Sequence, residues 1–193
     1  MIKMKKNLSI ALLLVTFFTA CKGGNNEAEN TVTQTTEQTA PESHWDQPKT
    51  TAPELPNMQL EDAGGQSHNL QAFKGKKVFV NLWASWCPPC KAEMPSIERL
   101  YKSVDADKAA FILLALDDKF ETSKDYVRSA RLDLPVYFAQ GDLPQLFQVD
   151  GIPATFIFDE NGILVQQIVG GRDYDTDEFR ALLQSGRGAP CLG

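Results

Sequence analysis

No apolar run in this chain is long enough to cross a bilayer: the longest, Leu8 to Phe18, falls well short of the roughly 20 residues a spanning helix needs. Histidine is almost missing, with His44 and His68 the only two in 193 residues, which leaves little from which to build an imidazole-rich metal centre. No internal repeat is visible, and 13 Gly and 11 Pro are too few for a collagen-like chain. Positive charge is also short. The 19 Lys and Arg against 25 Asp and Glu give a formal charge of −6, and because Lys3, Lys5 and Lys6 crowd the first six residues, the remainder carries −9. Such a surface repels phosphate backbones and excludes nucleic acid as a natural partner. The composition, 42% apolar and 23% charged, suits one globular domain with extensions.

The three early lysines, the apolar stretch from Leu8 to Phe18 and the small residues Thr19-Ala20 form a secretory signal peptide over residues 1–20. Phe18-Thr19-Ala20-Cys21 resembles the lipobox of bacterial lipoproteins, with Phe18 where Leu is usual. That resemblance implies that Cys21 is acylated and becomes the mature N-terminus. Each buried CH₂ of an acyl chain contributes about 0.8 kcal/mol, so several chains hold a protein on a lipid membrane, here on the extracytoplasmic, periplasmic side. From Lys22 to Asn57 the chain has seven Thr, four Pro and few apolar residues, which cannot offset the entropy of ordering it. Residues 21–57 are therefore expected to be a lipidated start followed by a disordered tether, with an end-to-end distance of roughly 30 to 36 Å.

From Met58 the composition turns globular, and the domain is expected over residues 58–184, with residues 185–193 as a flexible tail. Met58–Glu61 and Ser67–Leu70, flanking Asp62-Ala63-Gly64-Gly65, read as a hairpin. Val78–Trp83 and Phe111–Leu116 are continuous β-prone runs, as in strands covered on both faces. Between them, Pro88 marks a helix start and Met94, Ile97, Leu100, Tyr101 and Val104 recur at helical spacing. A helix over 122–130, a strand over 136–139 and a helical turn over 143–147 follow. Thr155–Phe158 and Ile163–Val169 flank Asn161-Gly162, a strong hairpin signal, and a last helix covers about 176–183. Alternating elements ending in an antiparallel hairpin imply an α/β fold with a mixed sheet.

The chemistry concentrates at residues 83–95. Trp83-Ala84-Ser85-Trp86-Cys87-Pro88-Pro89-Cys90 puts a Cys-x-x-Cys pair between a buried strand and a helix N-terminus, where free amides and the helix dipole stabilise a thiolate. Cys87 is the expected nucleophile and Cys90 the resolving thiol, two residues being a short enough spacer for it to attack a mixed disulfide. Glu93 follows Cys90 by three residues, hence one turn along the same helical face.

The Trp-Cys-Pro-Pro-Cys run, its preceding strand and the following Lys91-Ala92-Glu93-Met94-Pro95 resemble the TlpA/ResA-like branch of the thioredoxin superfamily. The distant segment Val149-Asp150-Gly151-Ile152-Pro153-Ala154-Thr155 matches the loop in which that superfamily carries a cis-proline. The resemblance implies a three-layer α/β/α thioredoxin-like fold with an N-terminal β-hairpin extension. It implies that Glu93 is the buried carboxylate exchanging protons with Cys90, since Asn81 stands where thioredoxin has an aspartate. Ile152 and Pro153 would bind substrate backbone, with Trp86, Pro88 and Pro89 also at the docking surface, whereas Trp83 belongs to the core and Pro95 bends the helix. The expected activity is disulfide exchange without a cofactor or metal, on protein disulfides, by a monomer. A membrane thiol reductant would supply electrons, and apocytochrome c is one implied substrate class, which would place the protein in cytochrome c maturation.

Other classes fare worse. Thioredoxin-fold copper-delivery proteins resemble Cys-x-x-x-Cys with a distant histidine, whereas this chain has two intervening residues and both histidines lie upstream of the motif. A peroxidase of related fold needs a hydroxyl three residues before its reactive cysteine, where this chain has Ala84. A domain with only vestigial chemistry fits poorly with an intact Cys pair, proline loop and Glu93. Cys191, in the tail beyond the family match, has no assigned role.

Overall fold

The computed structural model describes residues 52–185. Cys21, the signal peptide, most of the tether and Cys191 lie outside them.

Seven strands form one mixed sheet in the order β2-β1-β5-β4-β3-β6-β7. The hairpin expected at the start is β1 (Gln59–Asp62) and β2 (Ser67–Asn69), antiparallel, with β1 also antiparallel to β5 (Val136–Ala139). Asp62 shapes the connection, its Oδ1 accepting from the amides of Gly64 and Gln66. β3 (Lys77–Trp83) lies at the centre, parallel to β4 (Ala109–Ala115) and antiparallel to β6 (Ala154–Phe158), with all seven residues buried. β7 (Leu164–Val169) closes the sheet antiparallel to β6.

Alternation along the strands splits the core in two. Phe79, Phe111, Leu113 and Ile157 face α1 (Pro88–Ser103), α2 (Phe120–Ser129) and α3 (Asp177–Gln184) in one apolar cluster. Val78, Val80, Leu82, Ile112, Phe156 and Phe158 face the other way, onto Leu55, Leu60, Leu70 and Phe147. The sheet thus sits between two layers, the second built from 3₁₀ turns at Leu70–Phe73 and Gln145–Phe147 and from the N-terminal segment. The later turn is shorter than the expected 143–147 because the residue before Pro144 is disfavoured in the helical region. α2 begins two residues earlier than expected, carrying the buried Phe120.

One boundary needs correction. Residues 53–57, assigned to the tether on composition, pack on the domain: Glu54 bridges Ile163, the Leu55 amide donates to the Gly162 carbonyl at 2.7 Å, and the Leu164 amide donates to that of Pro53 at 2.8 Å. Leu55 is 1% exposed in the second cluster. One buried leucine among polar and proline residues does not shift a composition average, although it anchors the segment. The Asn161-Gly162 turn reinforces the join, since Gly162 has φ +81° and a Cβ there would stand 2.6 Å from Lys74 Cε and 3.3 Å from Leu55 Cβ.

Leu55→Ala is expected to lower unfolding free energy by about 2–5 kcal/mol, as for other buried leucines. In urea titrations, a chain starting at residue 52 should match a longer one in midpoint, whereas a chain starting at Met58 should lose as much as Leu55→Ala. Equal midpoints for all three would return residues 53–57 to the tether.

Candidate active site

The site forms where β3 ends and α1 begins. After Trp83 the chain turns, with the Cys87 amide donating to the Ala84 carbonyl at 3.1 Å, and Cys87 becomes the N-cap of α1. Its Sγ accepts from the Cys90 amide at 3.2 Å, so a helix N-terminal donor points at this sulfur. Pro88 and Pro89 occupy the first turn, where an amide would have no partner inside the helix. Cys87 and Cys90 form a disulfide and both are buried. α1 then runs unbroken through Pro95.

The Ile152–Pro153 peptide is cis, and the Ile152 carbonyl oxygen lies 3.8 Å from Cys87 Sγ. The 65-residue separation between these segments is closed by the β3–β6 pairing, which sets Leu82 opposite Ala154. Pro153 is buried and Ile152 half-buried, while Trp86, at 66% exposure, and Pro88 and Pro89 face solvent around the disulfide. Trp83, by contrast, is wholly buried.

Glu93 is 4% exposed on α1. Asn81 Nδ2 donates to its Oε1 at 2.8 Å and the Arg172 amide donates to its Oε2 at 3.2 Å. Burial outweighs these two bonds, so the carboxyl is pushed up to about 7. A cleft of about 470 Å³ between α1 and the 171–173 segment is lined by Pro89, Glu93, Arg99 and Arg172. Asn81 is fixed in turn, its Nδ2 also donating to Thr155 Oγ1 at 2.9 Å while Oδ1 has no partner among the described residues. Thr155 Oγ1 meets Tyr174 OH at 2.7 Å, and burial lifts that phenol to about 12, so it stays neutral.

Asn81, Thr155, Tyr174 and the Arg172 amide were not singled out from sequence as supports of Glu93. The signal available was Tyr174, a lone aromatic in a charged stretch, and wholly buried.

A model of the family described as Redoxin matches residues 49–183. The chain belongs to the Redoxin family. Over 118 residues it is 34% identical to the thiol-disulfide oxidoreductase ResA of Bacillus thuringiensis subsp. konkukian, covering 61% of this chain and 68% of that one. It is 32% identical to the thioredoxin-like protein YneN of Bacillus subtilis, covering 61% and 70%. Among solved structures, a thiol:disulfide interchange protein of the thioredoxin family from Chlorobium tepidum superposes with a TM-score of 0.58 at 25% identity, over 69% of this chain and 97% of that one. This redoxin is a TlpA/ResA-like member of the thioredoxin superfamily and a thiol:disulfide oxidoreductase, with Cys87 and Cys90 as its cysteine pair.

The histidine a copper site would want is remote: His68 sits on β2, with β1, β5 and β4 between it and β3, and bonds Asp62 at 2.7 Å. His44 lies outside the described residues. Among the described residues no three His, Cys, Asp or Glu side chains converge as a metal site.

A carboxyl whose folded pKa lies above its unfolded value contributes stability that is full below about 4.5 and is lost as pH rises through about 7. The oxidised redoxin should therefore lose up to roughly 3 kcal/mol between those limits, and Glu93→Gln should remove that slope. Urea midpoints across the range check it; the same slope in both proteins would place the Glu93 carboxyl in water.

Proposed function

We propose that this redoxin is an extracytoplasmic, membrane-tethered reductase of protein disulfides. The observation that carries the reading is the geometry around Cys87: a sulfur at a helix N-terminus, an Ile152 carbonyl oxygen 3.8 Å away, and an ionisable carboxyl one turn beyond the partner cysteine.

In the reduced enzyme the Cys87 thiolate attacks one sulfur of a substrate disulfide, forming a mixed disulfide and releasing the other substrate sulfur as a thiolate. Glu93, ionised in part near neutral pH, takes the proton of Cys90. The Cys90 thiolate then attacks Cys87 Sγ, closing the enzyme disulfide and releasing the second substrate thiolate. Two electrons pass from enzyme to substrate. The Ile152 backbone and the exposed Trp86, Pro88 and Pro89 receive an extended segment around the substrate cysteine, with main-chain bonds giving affinity that ignores sequence. The signal peptide and Cys21 support export and lipidation, so a membrane thiol reductant has to return the electrons in a compartment that oxidises thiols. Apocytochrome c, which exposes a Cys-x-x-Cys pair, is the substrate class favoured by family resemblance.

Cys90→Ser in the full chain removes the resolving thiol and should accumulate mixed disulfides through Cys87 in the membrane fraction. Cys87→Ser should trap none, and Cys21→Ser added to Cys90→Ser should move the complexes to the soluble fraction. Non-reducing gels followed by peptide mapping read all three. Adducts on Cys90 instead, or none, would contradict the exchange mechanism, and complexes that stay with the membrane despite Cys21→Ser would contradict the anchor.

A further inference from the structure

Asp117 follows the end of β4, 5% exposed, and no cation pairs with it among the described residues. A buried carboxylate without a counter-charge has to be satisfied by hydrogen bonds. Its donors come from two places. Ser85 supplies its amide, 3.0 Å from Oδ2 and 3.3 Å from Oδ1, and its hydroxyl, 2.7 Å from Oδ1. Ser123, in the first turns of α2, supplies its hydroxyl to Oδ2 at 2.5 Å. Asp117 therefore ties the β3–α1 loop, two residues before Cys87, to α2, while the Leu116 amide donates to the Trp83 carbonyl at 2.8 Å in the same seam.

We propose that Asp117 is a positioning residue, which holds the Ser85–Cys87 loop so that Cys87 keeps its place at the N-terminus of α1 when the disulfide opens. In the oxidised enzyme the covalent bond to Cys90 and the Asp117 bonds both restrain this loop. On reduction the covalent restraint disappears, and the place of Cys87 Sγ over the Cys90 amide then depends on the backbone bonds that remain, Cys87 amide to Ala84 carbonyl and Lys91 amide to Cys87 carbonyl at 3.1 Å each, and on what holds the residues before it. Ser85 is tied to Asp117 by bonds that involve neither cysteine. A thiolate held over a helix N-terminus is more stable than a free one, so the position sets how much of Cys87 is ionised near neutral pH. Ser123 extends the tie into α2, so the loop is referenced to a packed element and not only to a strand end.

The inference rests on Cys87 being the nucleophile. Its test separates the position of Cys87 from the charge of Asp117, because removing a nearby negative charge alone would favour the thiolate and speed its reaction. Reduced protein is alkylated with iodoacetamide across pH, with peptide mapping of the label and thermal melting of the oxidised form alongside. Asp117→Asn and Ser85→Ala should both slow alkylation of Cys87 at pH 7, by roughly 2- to 10-fold, with the midpoint of its pH profile moving up. Ser85→Thr, which keeps the hydroxyl, should recover the rate that Ser85→Ala loses. Unchanged profiles in both variants, even with lowered melting temperatures, would reduce Asp117 to a structural tie and overturn the proposal. Faster alkylation in Asp117→Asn with Ser85→Ala unchanged would also overturn it, leaving only an effect of charge. Should Asp117→Asn fail to fold, Ser85→Ala and Ser85→Thr decide alone. Label on Cys90 instead of Cys87 in the unsubstituted protein would defeat the nucleophile assignment, which is a different result from either failure.

Discussion

The active site depends on a carboxyl group kept almost dry. Glu93 is buried on α1, with Asn81 Nδ2 and the Arg172 amide as its two hydrogen-bond donors. In water such a group would be ionised at any neutral pH and could take no proton; desolvation moves it to about 7, where both forms are populated. Placing it there demands a strand residue short enough to reach it, an amide from the segment after β7, and a helix that runs on without a break from Cys90 to Glu93. Asn81, in the middle of a wholly buried strand, meets the first demand. A chain Asn81–Thr155–Tyr174, spread over β3, β6 and the approach to α3, keeps the amide pointed correctly. Arg99 and Arg180, both bonded to Asp175, hold the segment next to Tyr174 from the outside, in a network too exposed to contribute much stability.

The sheet topology explains why these parts meet. β3 is flanked by parallel β4 and antiparallel β6, so the end of β3, the end of β4 and the start of β6 lie at the same end of the strands. The end of β3 delivers Cys87 to a helix N-terminus, the start of β6 brings the Ile152–Pro153 peptide against it, and the end of β4 delivers Asp117 behind the loop. The helix N-terminus at Cys87, the Ile152–Pro153 peptide and Asp117 thus come from three neighbouring strand ends, with a packed core on both faces of the sheet. Trp86 is the most exposed large hydrophobic side chain next to the disulfide.

Much of this was legible beforehand, for physical reasons that differ by element. β3 and β4 announce themselves because strands buried on both faces need continuous apolar runs, and α1 because a proline-marked start and a helical apolar stripe coincide. The Cys87–Cys90 pair is legible in its two-residue spacing, while the burial of Glu93 and the cis peptide before Pro153 were expected from the family resemblance. Leu55 was lost to the tether because composition averages over the one residue that anchors the segment. Asn81 was read only as the absence of an aspartate, and its role as a donor to Glu93 depends on facing a helix that no local pattern specifies. Asp117 and Tyr174 were passed over for the same reason: a carboxylate after a strand and a tyrosine in a charged loop are usually solvated, and only the fold buries them.

The central claim is that the Cys87–Cys90 couple donates electrons to substrate disulfides. The most direct measurement is its reduction potential at pH 7, by equilibration of residues 52–193 with glutathione or dithiothreitol mixtures and quantification of the disulfide. A reductase needs a value near that of thioredoxin, about −270 mV, because every 30 mV toward oxidising potentials corresponds to about 1.4 kcal/mol less driving force for reduction. A value near about −120 mV, the potential of a strong disulfide donor, would contradict that claim and reverse the direction of electron flow.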